Sequence, residues 1–574
     1  MQYTGARILV EALIEQGVDT VFGYPGGQVL FIYDELYQQR DRIRHILVSH
    51  EQHAAHAADG YARSTGKVGV CIATSGPGAT NLVTGIATAA MDSSPLVAIT
   101  GNVSTPLLGK DSFQEVDIAG ITMPIVKHNW IVKDVGELAE VVREAFLVAA
   151  SGRPGPVLID IPKDITTLTE EWVPLVQTGN SADPIHSARA RRLIQRLAGE
   201  TFTAADIARA VTMLREAKRP VIYAGGGVII SQASGELRQL AERLHAPVSV
   251  SLMGIGAIPP EHPLYTGLLG MHGTVASNRA VQQGDLLIAI GARFSDRVTS
   301  RPDQFAREAQ VLHFDIDPAE INKNVAAEAW VVGDIQKTLT QVLEQLPEGL
   351  ETAWKGDIET WKTVVPQTHT QDFQKLALHP RFIIEETAQA LGSEALVVTD
   401  VGQHQMWTAQ FYPINRPRTF LTSGGLGTMG FGLGAAEGAK IANPDKPVVL
   451  FTGDGSFRMN CAELATLGAY GIPLLVVICN NRVLGMVRQW QTLFYEGRYA
   501  ETTLDRPPDF VKLAEAYGIA GYRAGDAGAF MDALGKAVQE LRRGRAALID
   551  ALIDPDEKVL PMVPGGKPID EQIL

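Results

Sequence analysis

Residues 448–481 read VVLFTGDGSFRMNCAELATLGAYGIPLLVVICNN, and the interpretation of the whole chain starts from this stretch. A β-branched apolar run ends in GDG at 453–455, a helical pattern follows, and a second apolar run ends in NN at 480–481. Such runs, bounded by glycine and separated by a helix, are typical of strand–helix–strand units. One right-handed crossover places the two strands side by side, which predicts that Asp454 and Asn481 emerge at neighbouring strand ends.

These two strand ends carry oxygen ligands of the kind that Mg²⁺ prefers. Asp454 offers a carboxylate and Asn481 an amide oxygen, and a backbone carbonyl, which we assign to Val483, would complete a site that shares phosphate oxygens. The glycines allow backbone N–H groups and the start of the next helix to approach a phosphate. Alone, GDG is better explained as a plain turn, but the strand context and the distance to NN favour a metal and phosphate site. The pattern is similar to the thiamine diphosphate signature.

Strand–turn–helix patterns of the same kind recur along the chain. Their apolar runs are continuous rather than alternating, which indicates strands buried on both faces and therefore parallel sheets. The predicted strands are 43–49, 68–73, 96–100, 157–161, 220–224, 247–250, 286–290, 311–316, 396–399, 448–452, 474–479 and 547–551. They predict an α/β fold of three doubly wound parallel-sheet domains, in which ligands bind at the carboxyl ends of the strands.

Polar stretches separate the three predicted domains. The irregular, charged residues 168–195 and the Trp-containing segment 346–374 are predicted linkers. At about 100–200 residues per domain, a chain of 574 residues accommodates three domains. The predicted ranges are 1–170, 200–345 and 376–550, followed by a C-terminal tail at 551–574.

The composition excludes several classes of partner. Hydrophobic residues make up 45% and charged residues 20%, as in ordinary soluble proteins, and a net charge of −14 disfavours both nucleic acid and anionic membrane surfaces. Three cysteines without CxxC spacing predict neither disulfides nor a zinc site. The uncharged run 68–91 contains SGPGATN, unlike a membrane-spanning helix, and the N-terminal residues lack a signal-peptide pattern. We therefore expect a cytoplasmic protein.

Motifs spread over nearly the whole chain resemble those of the acetolactate synthase (acetohydroxyacid synthase) catalytic subunits, a family of thiamine-diphosphate-dependent enzymes. The resemblance rests on GYPGG (23–27), SGRPGPVLIDIPKD (151–164), GMHG (270–273), GARF (291–294), VGQHQMW (401–407), SGGLGTMGFG (423–432), GMVRQWQ (485–491) and PDF (508–510). It implies a transferase that decarboxylates pyruvate and transfers the hydroxyethyl group to a second pyruvate or to 2-oxobutyrate, in valine, leucine and isoleucine biosynthesis. It also implies a homodimer or homotetramer of catalytic subunits, which a regulatory small subunit can join.

Glu51 follows the predicted strand 43–49 almost directly, in the sequence His50-Glu51-Gln52. A carboxylate at the end of a buried strand is costly without a partner. Taken alone, Glu51 is better explained as a residue that begins a helix. The resemblance implies that a protonated Glu51 donates to the aminopyrimidine of thiamine and promotes loss of the C2 proton. In the family this site forms between two subunits, which makes dimerisation obligatory for activity.

The resemblance implies further contacts with thiamine diphosphate. Gln114 occupies the glutamine position of the family's FQE motif and is assigned to catalysis. In the C-terminal domain, one segment contacts the diphosphate and a second wraps the aminopyrimidine, with Met429 holding the bent shape of the cofactor. The implied cofactor-binding residues are Glu51, Gln403, His404, Gly427, Met429, Gly453, Gly455 and Ser456.

The middle domain resembles the family's FAD-binding domain. The triple glycine 225–227 follows a predicted strand, but alone it is as well explained by a plain turn. Since the reaction has no redox step, FAD would be structural. Two positions depart from the family: Ser295 stands where an acid is usual, which questions one flavin contact, and Gly434 stands where Pro is common, which is expected to affect only helix entry. The implied flavin-contacting residues are Arg153, Gly225, Gly226, Gly227, His272, Gly291, Arg293, Asp315 and Asp334.

Four residues, Lys163, Arg297, Met486 and Trp490, match the family's substrate pocket. Arg297 suits the carboxylate of a 2-oxo acid, because a guanidinium can bind a carboxylate through two hydrogen bonds. Met486 and Trp490 are spaced i, i+4, so the alternative is that both belong to a helix core. Their closeness to Asn481 favours the pocket.

Related enzymes and an inactive homologue are the alternative interpretations. Pyruvate oxidase, oxalyl-CoA decarboxylase and glyoxylate carboligase share this architecture. Glyoxylate carboligase characteristically lacks the activating glutamate, so Glu51 argues against it, and pyruvate oxidase would use flavin redox chemistry. Intact Glu51, Asp454 and Asn481 argue against a catalytically inactive regulatory homologue.

Overall fold

Three parallel sheets make up the fold, as the sequence predicts. The structure is a computed structural model that describes residues 1–174, 192, 202–350, 352–354, 356–364, 378–506 and 508–574. Within the described residues each sheet has six strands, and helices cover its faces. The predicted α/β class and the three doubly wound sheets are therefore confirmed.

The first sheet belongs to the N-terminal third of the chain. Its strands are β2 (Thr20–Tyr24), β3 (Arg44–Leu47), β4 (Gly69–Ala73), β5 (Leu96–Asn102), β6 (Asn129–Ile131) and β7 (Pro156–Pro162). They pair in parallel in the order β3-β2-β4-β5-β7-β6. A short antiparallel pair, β1 (Gln2–Thr4) and β8 (Thr169–Glu171), joins the two ends of this unit. Its helices are α1 (Gly5–Glu15), α2 (Leu30–Gln38), α3 (Glu51–Thr65), α4 (Pro77–Asn81), α5 (Val83–Met91), α6 (Ile118–Thr122) and α7 (Leu138–Ala150).

The second sheet lies in the middle of the chain. Its strands are β9 (Pro220–Ala224), β10 (Val248–Val250), β11 (Tyr265–Leu268), β12 (Leu286–Ile290), β13 (Gln310–Asp315) and β14 (Ala329–Val332). They pair in parallel in the order β11-β10-β9-β12-β13-β14, which is the strand order of dinucleotide-binding folds. Its helices are α8 (Ala204–Glu216), α9 (Gly226–Ile230), α10 (Ser234–Leu244), α11 (Val275–Gln283), α12 (Asp296–Thr299), α13 (Ile335–Gln345) and α14 (Asp357–Lys362).

The third sheet carries the GDG and NN segments. Its strands are β15 (Leu396–Thr399), β16 (Phe420–Leu421), β17 (Val448–Gly453), β18 (Leu475–Asn480), β19 (Ala520–Ala524) and β20 (Ala547–Leu552). They pair in parallel in the order β16-β15-β17-β18-β20-β19. Its helices are α15 (Pro380–Leu391), α16 (Gln403–Phe411), α17 (Gly432–Ala442), α18 (Asp454–Phe457), α19 (Leu464–Tyr470), α20 (Gly485–Phe494), α21 (Phe510–Ala516) and α22 (Ala527–Arg542).

In every sheet the strand order reverses beside the strand that comes first in the chain, and this reversal locates the ligand crevices. The first and third sheets follow the same path, with reversals between β2 and β4 and between β15 and β17. The middle sheet reverses between β9 and β12. Ligands of open α/β sheets bind beyond the strand ends at such a reversal. The glycine-rich turns singled out in the sequence follow these strands.

All the predicted strands are present, but the structure adds others to every sheet. Most of the additional strands are short or contain glycine: β6 has three residues, β16 has two, and glycine interrupts β2, β11 and β19. These five lack the continuous apolar run on which strand prediction depends. The exception is β14, whose sequence AWVV is a continuous apolar run that was not predicted as a strand. Gly23 in β2 is required by packing, because an added Cβ would clash with the carbonyl oxygen of Ile72 on β4.

The first and third units pack together through α3 and α17. Glycines allow these helices to approach: a Cβ at Gly60 would clash with the carbonyl of Ala435, and one at Gly438 would clash with the carbonyl of Ala57. Gly434 belongs to the same crossing, since its Cβ would lie 3.0 Å from the carbonyl oxygen of His53. Its role therefore extends beyond the predicted effect on helix entry.

The predicted linkers and the tail differ in how they are held. Most of 168–195 lies outside the described residues. In the second linker, α14 packs on the middle unit, where the indole of Trp354 donates to the carbonyl of Pro220. The tail lies across the middle unit as well: Asn278 donates to the carbonyl of Ile569, and Val563 donates to that of Met271.

No helix of the described part of the chain is long and apolar enough to cross a membrane. The uncharged run at 68–91 forms β4, α4 and α5.

Candidate active site

A cavity opens at the reversal between β15 and β17. The residues that line it come from the loops after β15, β16 and β18, from the ends of β17 and β18, from α16, and from the starts of α18 and α20. They are Val401, Gly402, Gln403, His404, Trp407, Met429, Gly453, Asp454, Gly455, Ser456, Cys479, Asn481, Val483, Leu484, Gly485, Met486 and Val487. Sequence-predicted cofactor and metal residues from distant segments thus meet in one place.

Asp454 and Asn481 emerge from paired strands, as their spacing predicts. Gly453 pairs with Cys479, so that both side chains leave the same edge of the sheet. Both are buried, and Oδ2 of Asp454 has no hydrogen-bond partner among the described residues. Burial raises the pKa of Asp454 to about 7. A buried carboxylate oxygen without a partner is costly, so the site fits a cation at this position.

The other oxygen ligands lie beside this carboxylate. Oδ1 of Asn481 accepts a 3.2 Å hydrogen bond from the N–H of Val483, and Nδ2 of Asn481 donates to Oε1 of Gln403 at 3.2 Å. In the described residues, no cluster of three His, Cys, Asp or Glu side chains could hold a metal. With one carboxylate in the site, Mg²⁺ would require phosphate oxygens and water in its shell.

The glycines of the cavity leave room that side chains would fill. A Cβ at Gly453 would lie 2.8 Å from Nδ1 of His404, and one at Gly455 would lie 2.9 Å from Cδ2 of Leu484. At Gly485 it would clash with the Gln403 amide. The backbone can therefore come close to a bound phosphate, as the sequence predicts.

His404 faces this cavity as a neutral side chain. Burial lowers its pKa to about 3, and its Nε2 has no hydrogen-bond partner among the described residues. A neutral imidazole can donate a hydrogen bond to an anionic ligand from one ring nitrogen. Ser456, by contrast, uses its hydroxyl to donate to the carbonyl of Val401 at 2.8 Å.

Asp400 organises the second glycine-rich segment, a role that the sequence did not predict. Its Oδ1 accepts from the N–H groups of Gly430 at 2.8 Å and Val401 at 3.1 Å. Asn460 donates to its Oδ2 at 3.0 Å. The signal that could have identified it is an acid directly after a buried strand, the same signal that identified Glu51. Met429 lines the cavity at the end of the segment that Asp400 holds.

Glu51 lies in a second half-site, on the N-terminal unit. It begins α3 and is buried, and its Oε2 accepts from Nδ2 of Asn81 at 2.9 Å. Gln114 packs against Gly76 of the same SGPGATN turn, with its Cα 3.0 Å from where a Cβ of Gly76 would lie. The structure thus brings Glu51, Gln114 and this turn together. Glu51 is not among the residues that line the Asp454 cavity of its own chain.

Two further polar side chains beside Glu51 were missed in the sequence. Thr74 and Ser75 follow β4, and both hydroxyls are buried without a partner among the described residues. A Cβ at Gly78 would lie 2.7 Å from Cγ2 of Thr74 and 3.1 Å from Oε1 of Glu51. Unpartnered buried hydroxyls at the reversal between β2 and β4 indicate a place where a ligand supplies hydrogen bonds.

Comparison with known proteins identifies the family. Models of thiamine pyrophosphate enzymes match in three parts: the N-terminal TPP-binding domain at 3–121, the central domain at 207–342 and the C-terminal TPP-binding domain at 400–551. The acetolactate synthase large subunit of Parasynechococcus marenigrum is 48% identical over 98% of this chain and 90% of its own length. The large subunit of Escherichia coli acetolactate synthase isozyme 3 is 44% identical over 100% of this chain and 98% of its own length. The probable large subunit of Methanocaldococcus jannaschii is 47% identical over 98% of this chain and 94% of its own length.

The chain belongs to the acetolactate synthase large-subunit family. Its predicted enzyme class is confirmed, and the matched domains support thiamine diphosphate as its cofactor. Mg²⁺, FAD and the roles of individual residues stay predictions.

The residues predicted for the family's substrate pocket are dispersed in the single chain. Met486 lines the cavity. Trp490, one turn further along α20, is half-buried and packs edge-on against Phe494, with 5.5 Å between the ring centroids. Gln489 is the only buried residue of α20, a helix described in full. Met486 is half-buried and also packs against the hydrophobic core, so the core alternative holds in part for Met486. The side chain of Arg297 is 67% exposed on the middle unit. Lys163 follows β7, and its backbone N–H donates to Asn102.

The glycines predicted to contact FAD lie at the reversal of the middle sheet. Gly225 and Gly227 follow β9 and pack against the backbone of Gly291, which follows β12. A Cβ at Gly227 would lie 2.7 Å from the Cα of Gly291, so close packing of the two turns explains both glycines without a ligand. Gly226 packs against Met253 in the same turn, and Arg293 follows in the β12 loop.

The remaining residues predicted to contact FAD have partners within the chain. Arg153 pairs with Asp317 at 3.2 Å and Glu320 at 2.8 Å. Asp315 accepts from the N–H of Asp317 at 2.9 Å. Asp334 and Ser295 cap the starts of α13 and α12. Burial lowers the pKa of His272 to about 4, and one of its ring nitrogens contacts the carbonyl of Pro561 at 3.2 Å.

Proposed function

We propose that this chain catalyses the acetolactate synthase reaction. It decarboxylates pyruvate and joins the remaining two-carbon unit to a second pyruvate or to 2-oxobutyrate, in branched-chain amino-acid biosynthesis. The observation that carries the proposal is the meeting of Asp454, Asn481 and the glycine turns in one cavity, with buried polar atoms that lack partners. The identity of the chain to large subunits over almost its full length supports it.

Asp454, Asn481 and the carbonyl of Val483 hold Mg²⁺ in this proposal. Their oxygen atoms are hard ligands, and Mg²⁺ shares its remaining positions with phosphate and water. Gln403, His404 and Gly455 contact the diphosphate, with the neutral His404 as a hydrogen-bond donor. Thiamine diphosphate, when bound, supplies the electron sink that decarboxylation requires.

Glu51 holds the proton that activates the cofactor. Its carboxyl lies at the carboxyl end of the first sheet, beside Gly78 and Thr74 of the turn against which Gln114 packs. The hydroxyls of Thr74 and Ser75 have no partner among the described residues. Because Glu51 does not line the Asp454 cavity of its own chain, we infer that a second copy brings the two half-sites together. The assembly is therefore at least a homodimer.

Arg297 binds the carboxylate of the acceptor in this proposal, and Trp490 contacts its alkyl end. Arg297 carries an exposed guanidinium, and its one ion pair within the described part of the chain is a 3.9 Å contact with Asp296, which leaves donors for a substrate. Met486 joins this pocket to the metal site, because it lines the Asp454 cavity one turn before Trp490. Lys163 adds a cation from the N-terminal unit.

Incubation with pyruvate, Mg²⁺ and thiamine diphosphate tests the activity. Acidification converts acetolactate to acetoin, which gives a coloured product with creatine and naphthol. We expect colour that depends on acidification and disappears when Mg²⁺ is chelated. Absence of acetoin from a preparation that binds thiamine diphosphate would favour an inactive regulatory homologue. Acetyl phosphate or peroxide as the product would favour pyruvate oxidase.

The middle unit binds FAD in a structural role. Its strand order and the turns at its reversal support this part of the proposal, although the glycines are also explained by packing. We expect purified protein to be yellow, and pyruvate to leave the flavin oxidised under anaerobic conditions. Colourless, fully active protein would show that Ser295 and its surroundings mark a lost flavin site.

The proposal extends to a partner and a location. The relatives are named large subunits, so we propose that a regulatory small subunit joins this chain. Co-purification with a tagged candidate small subunit tests this part. A cytoplasmic location fits the three cysteines, which are all free thiols.

A further inference from the structure

A carboxylate of the third unit accepts hydrogen bonds from the backbone that immediately precedes Glu51. Glu463 follows the GDG segment and is fully buried. Its Oε1 accepts from the N–H groups of Ser49 at 2.9 Å and His50 at 3.1 Å, and its Oε2 accepts from Ser49 at 3.1 Å. Thr466 orients the same carboxylate by donating its hydroxyl to Oε2 at 2.7 Å.

Further bonds from the third unit hold the same loop. The hydroxyl of Ser49 donates to the carbonyl of Ala462 at 2.9 Å, and the hydroxyl of Tyr470 accepts from the N–H of Leu47 at 2.9 Å. The loop between β3 and α3 is thus fixed by a different unit from the one whose sheet it leaves. Glu51 is the first residue of α3, so any shift of this backbone shifts its carboxyl.

A matching contact runs in the opposite direction. Asp92 of the N-terminal unit follows α5, and its Oδ1 accepts from the N–H of Gly425 at 2.7 Å. Its Oδ2 accepts from the N–H of Gly424 at 3.2 Å and pairs with the buried guanidinium of Arg63 at 3.0 Å. Thr88 adds a 2.7 Å hydroxyl contact to Thr428. This loop is the glycine-rich segment that leads to Met429.

The two contacts are related by the common topology of the first and third sheets. Each carboxylate belongs to the crossover between the third and fourth strands in chain order of its unit, β4 to β5 for Asp92 and β17 to β18 for Glu463. Each binds the loop that precedes the equivalent helix of the other unit, α17 or α3. Charge-assisted bonds from a carboxylate to backbone N–H groups are stronger than neutral ones and fix a loop in one position.

We propose that Glu463 is a positioning residue that holds Glu51 in its productive place, and that Asp92 holds the opposing cofactor loop in the same way. The inference rests on the proposed function, because it takes Glu51 as the group that activates thiamine. In each chain, these two contacts then hold the loop before α3 and the loop before α17 in fixed positions relative to each other. Since the half-sites of one chain serve two different cofactors of a dimer, the α3–α17 contact also joins the two active sites.

Exchange of the C2 hydrogen of bound thiamine diphosphate tests this inference, because it measures activation without the substrates. Glu463→Asp keeps the carboxylate but shortens its reach by one methylene, and we expect exchange to slow by about 10–100-fold, as displacements of about 1 Å do. Glu463→Gln keeps the reach and one acceptor oxygen, so its exchange should stay closer to the parent rate. Reversal of that ranking would overturn the positioning role.

A control comes from Glu540 on α22, a buried acid of the same unit that pairs with Arg543 at 3.1 Å instead of with the backbone before Glu51. We expect Glu540→Gln to exchange at the parent rate. Should Glu463→Asp fail to fold, Thr466→Val removes the orienting hydroxyl at nearly constant volume and should slow exchange by several-fold. A lowered unfolding midpoint with parental exchange in these variants would make Glu463 a purely structural residue.

Glu51→Gln separates this inference from the proposed function. Loss of a general acid slows exchange by about 10²–10⁴-fold. Slow exchange in Glu51→Gln together with a parental rate in Glu463→Asp would overturn the positioning role of Glu463 but not the role of Glu51. A parental rate in Glu51→Gln would overturn the assigned role of Glu51, and with it the inference.

Discussion

Asp454 shows at the scale of one residue how a binding site differs from a stable core. Its Oδ2 is buried without a hydrogen-bond partner among the described residues, and burial raises its pKa to about 7. Both features destabilise the protein that has no ligand and favour a cation that could bind there.

We predict that Asp454→Ala abolishes Mg²⁺-dependent binding of thiamine diphosphate without lowering the stability of the unliganded protein. Removing this buried carboxylate, whose Oδ2 has no partner among the described residues, removes its desolvation cost, so the thermal midpoint should hold or rise. Cofactor titration and thermal unfolding measure the two effects. Asp445→Ala, at an exposed acid before the same strand, is the control and should change neither. Retained cofactor affinity in Asp454→Ala would refute the metal assignment.

Trp490 is a second single residue whose role can be tested, and its neighbour Phe494 offers a control. One methylene in an apolar pocket is worth about 1–3 kcal/mol, so contact between the indole and the extra methyl of 2-oxobutyrate could set a preference of about 10–200-fold. We predict that Trp490→Leu removes most of that preference while acetolactate formation from pyruvate stays substantial. The product ratio with both acceptors present measures it.

Phe494→Leu breaks the same edge-on aromatic contact from the other side. It should leave the product ratio unchanged if Trp490 contacts the acceptor. An equal loss of preference in both variants, or a fall in stability with no change of ratio, would assign Trp490 to packing.

At the scale of elements, the crossing of α3 and α17 decides how the two cofactor-binding units meet. The helices approach through glycine and alanine, and a Cβ at Gly438 would clash with the carbonyl of Ala57. Glu51 begins α3, and Met429 lies in the loop that precedes α17. Small residues in this crossing therefore matter to the site as well as to the fold.

We predict that Gly438→Ala lowers the unfolding free energy by about 1–3 kcal/mol or more, because overpacking forces the helices apart. Gly535 in α22 is the control: it is helical and exposed, and an added Cβ would meet no atom within 4 Å. Gly535→Ala should stabilise the protein by about 0.5–1 kcal/mol through helix propensity. Urea unfolding of both variants measures the two changes in unfolding free energy. Equal, small effects would mean that α17 can shift without cost.

At the scale of the whole molecule, Glu51 and the Asp454 cavity lie on different units of the chain. Glu51 lies with Gln114 on the first sheet, and the residues that line the Asp454 cavity all come from the third unit. A second copy could complete both sites at once by a two-fold arrangement, which is the commonest symmetry of soluble oligomers.

We predict that two inactive variants restore activity when they are co-expressed. A dimer of one Glu51→Gln chain and one Asp454→Ala chain contains one site with both residues intact. With random pairing, half of the dimers are mixed, so about one quarter of the parental activity should return. Either variant co-expressed with itself is the control. No recovery in confirmed mixed dimers would mean that each site forms within a single chain.

Much of the fold and of the metal site could be predicted from the sequence, because both depend on local patterns. Continuous apolar runs predicted the central strands, and their spacing predicted that Asp454 and Asn481 lie together, since one crossover leaves little freedom in where a strand returns. The same logic failed for β2 and β19, where glycine interrupts the apolar run. There the strand is stabilised by its neighbours rather than by its own pattern.

Contacts between distant segments could not be predicted in this way. That Glu463 binds the backbone before Glu51, and that Asp92 binds the loop before α17, depends on how separate units pack. The bond from Gly430 to Asp400 depends on how two loops of one unit pack. A single acid in a sequence carries no sign of which remote N–H it will meet. The sequence by itself determined the elements, the family and the chemistry available at the strand ends, because these follow from nearest neighbours along the chain. Only the tertiary structure decided which loops bind one another, because burial, close approach and hydrogen-bond geometry arise only when the units pack.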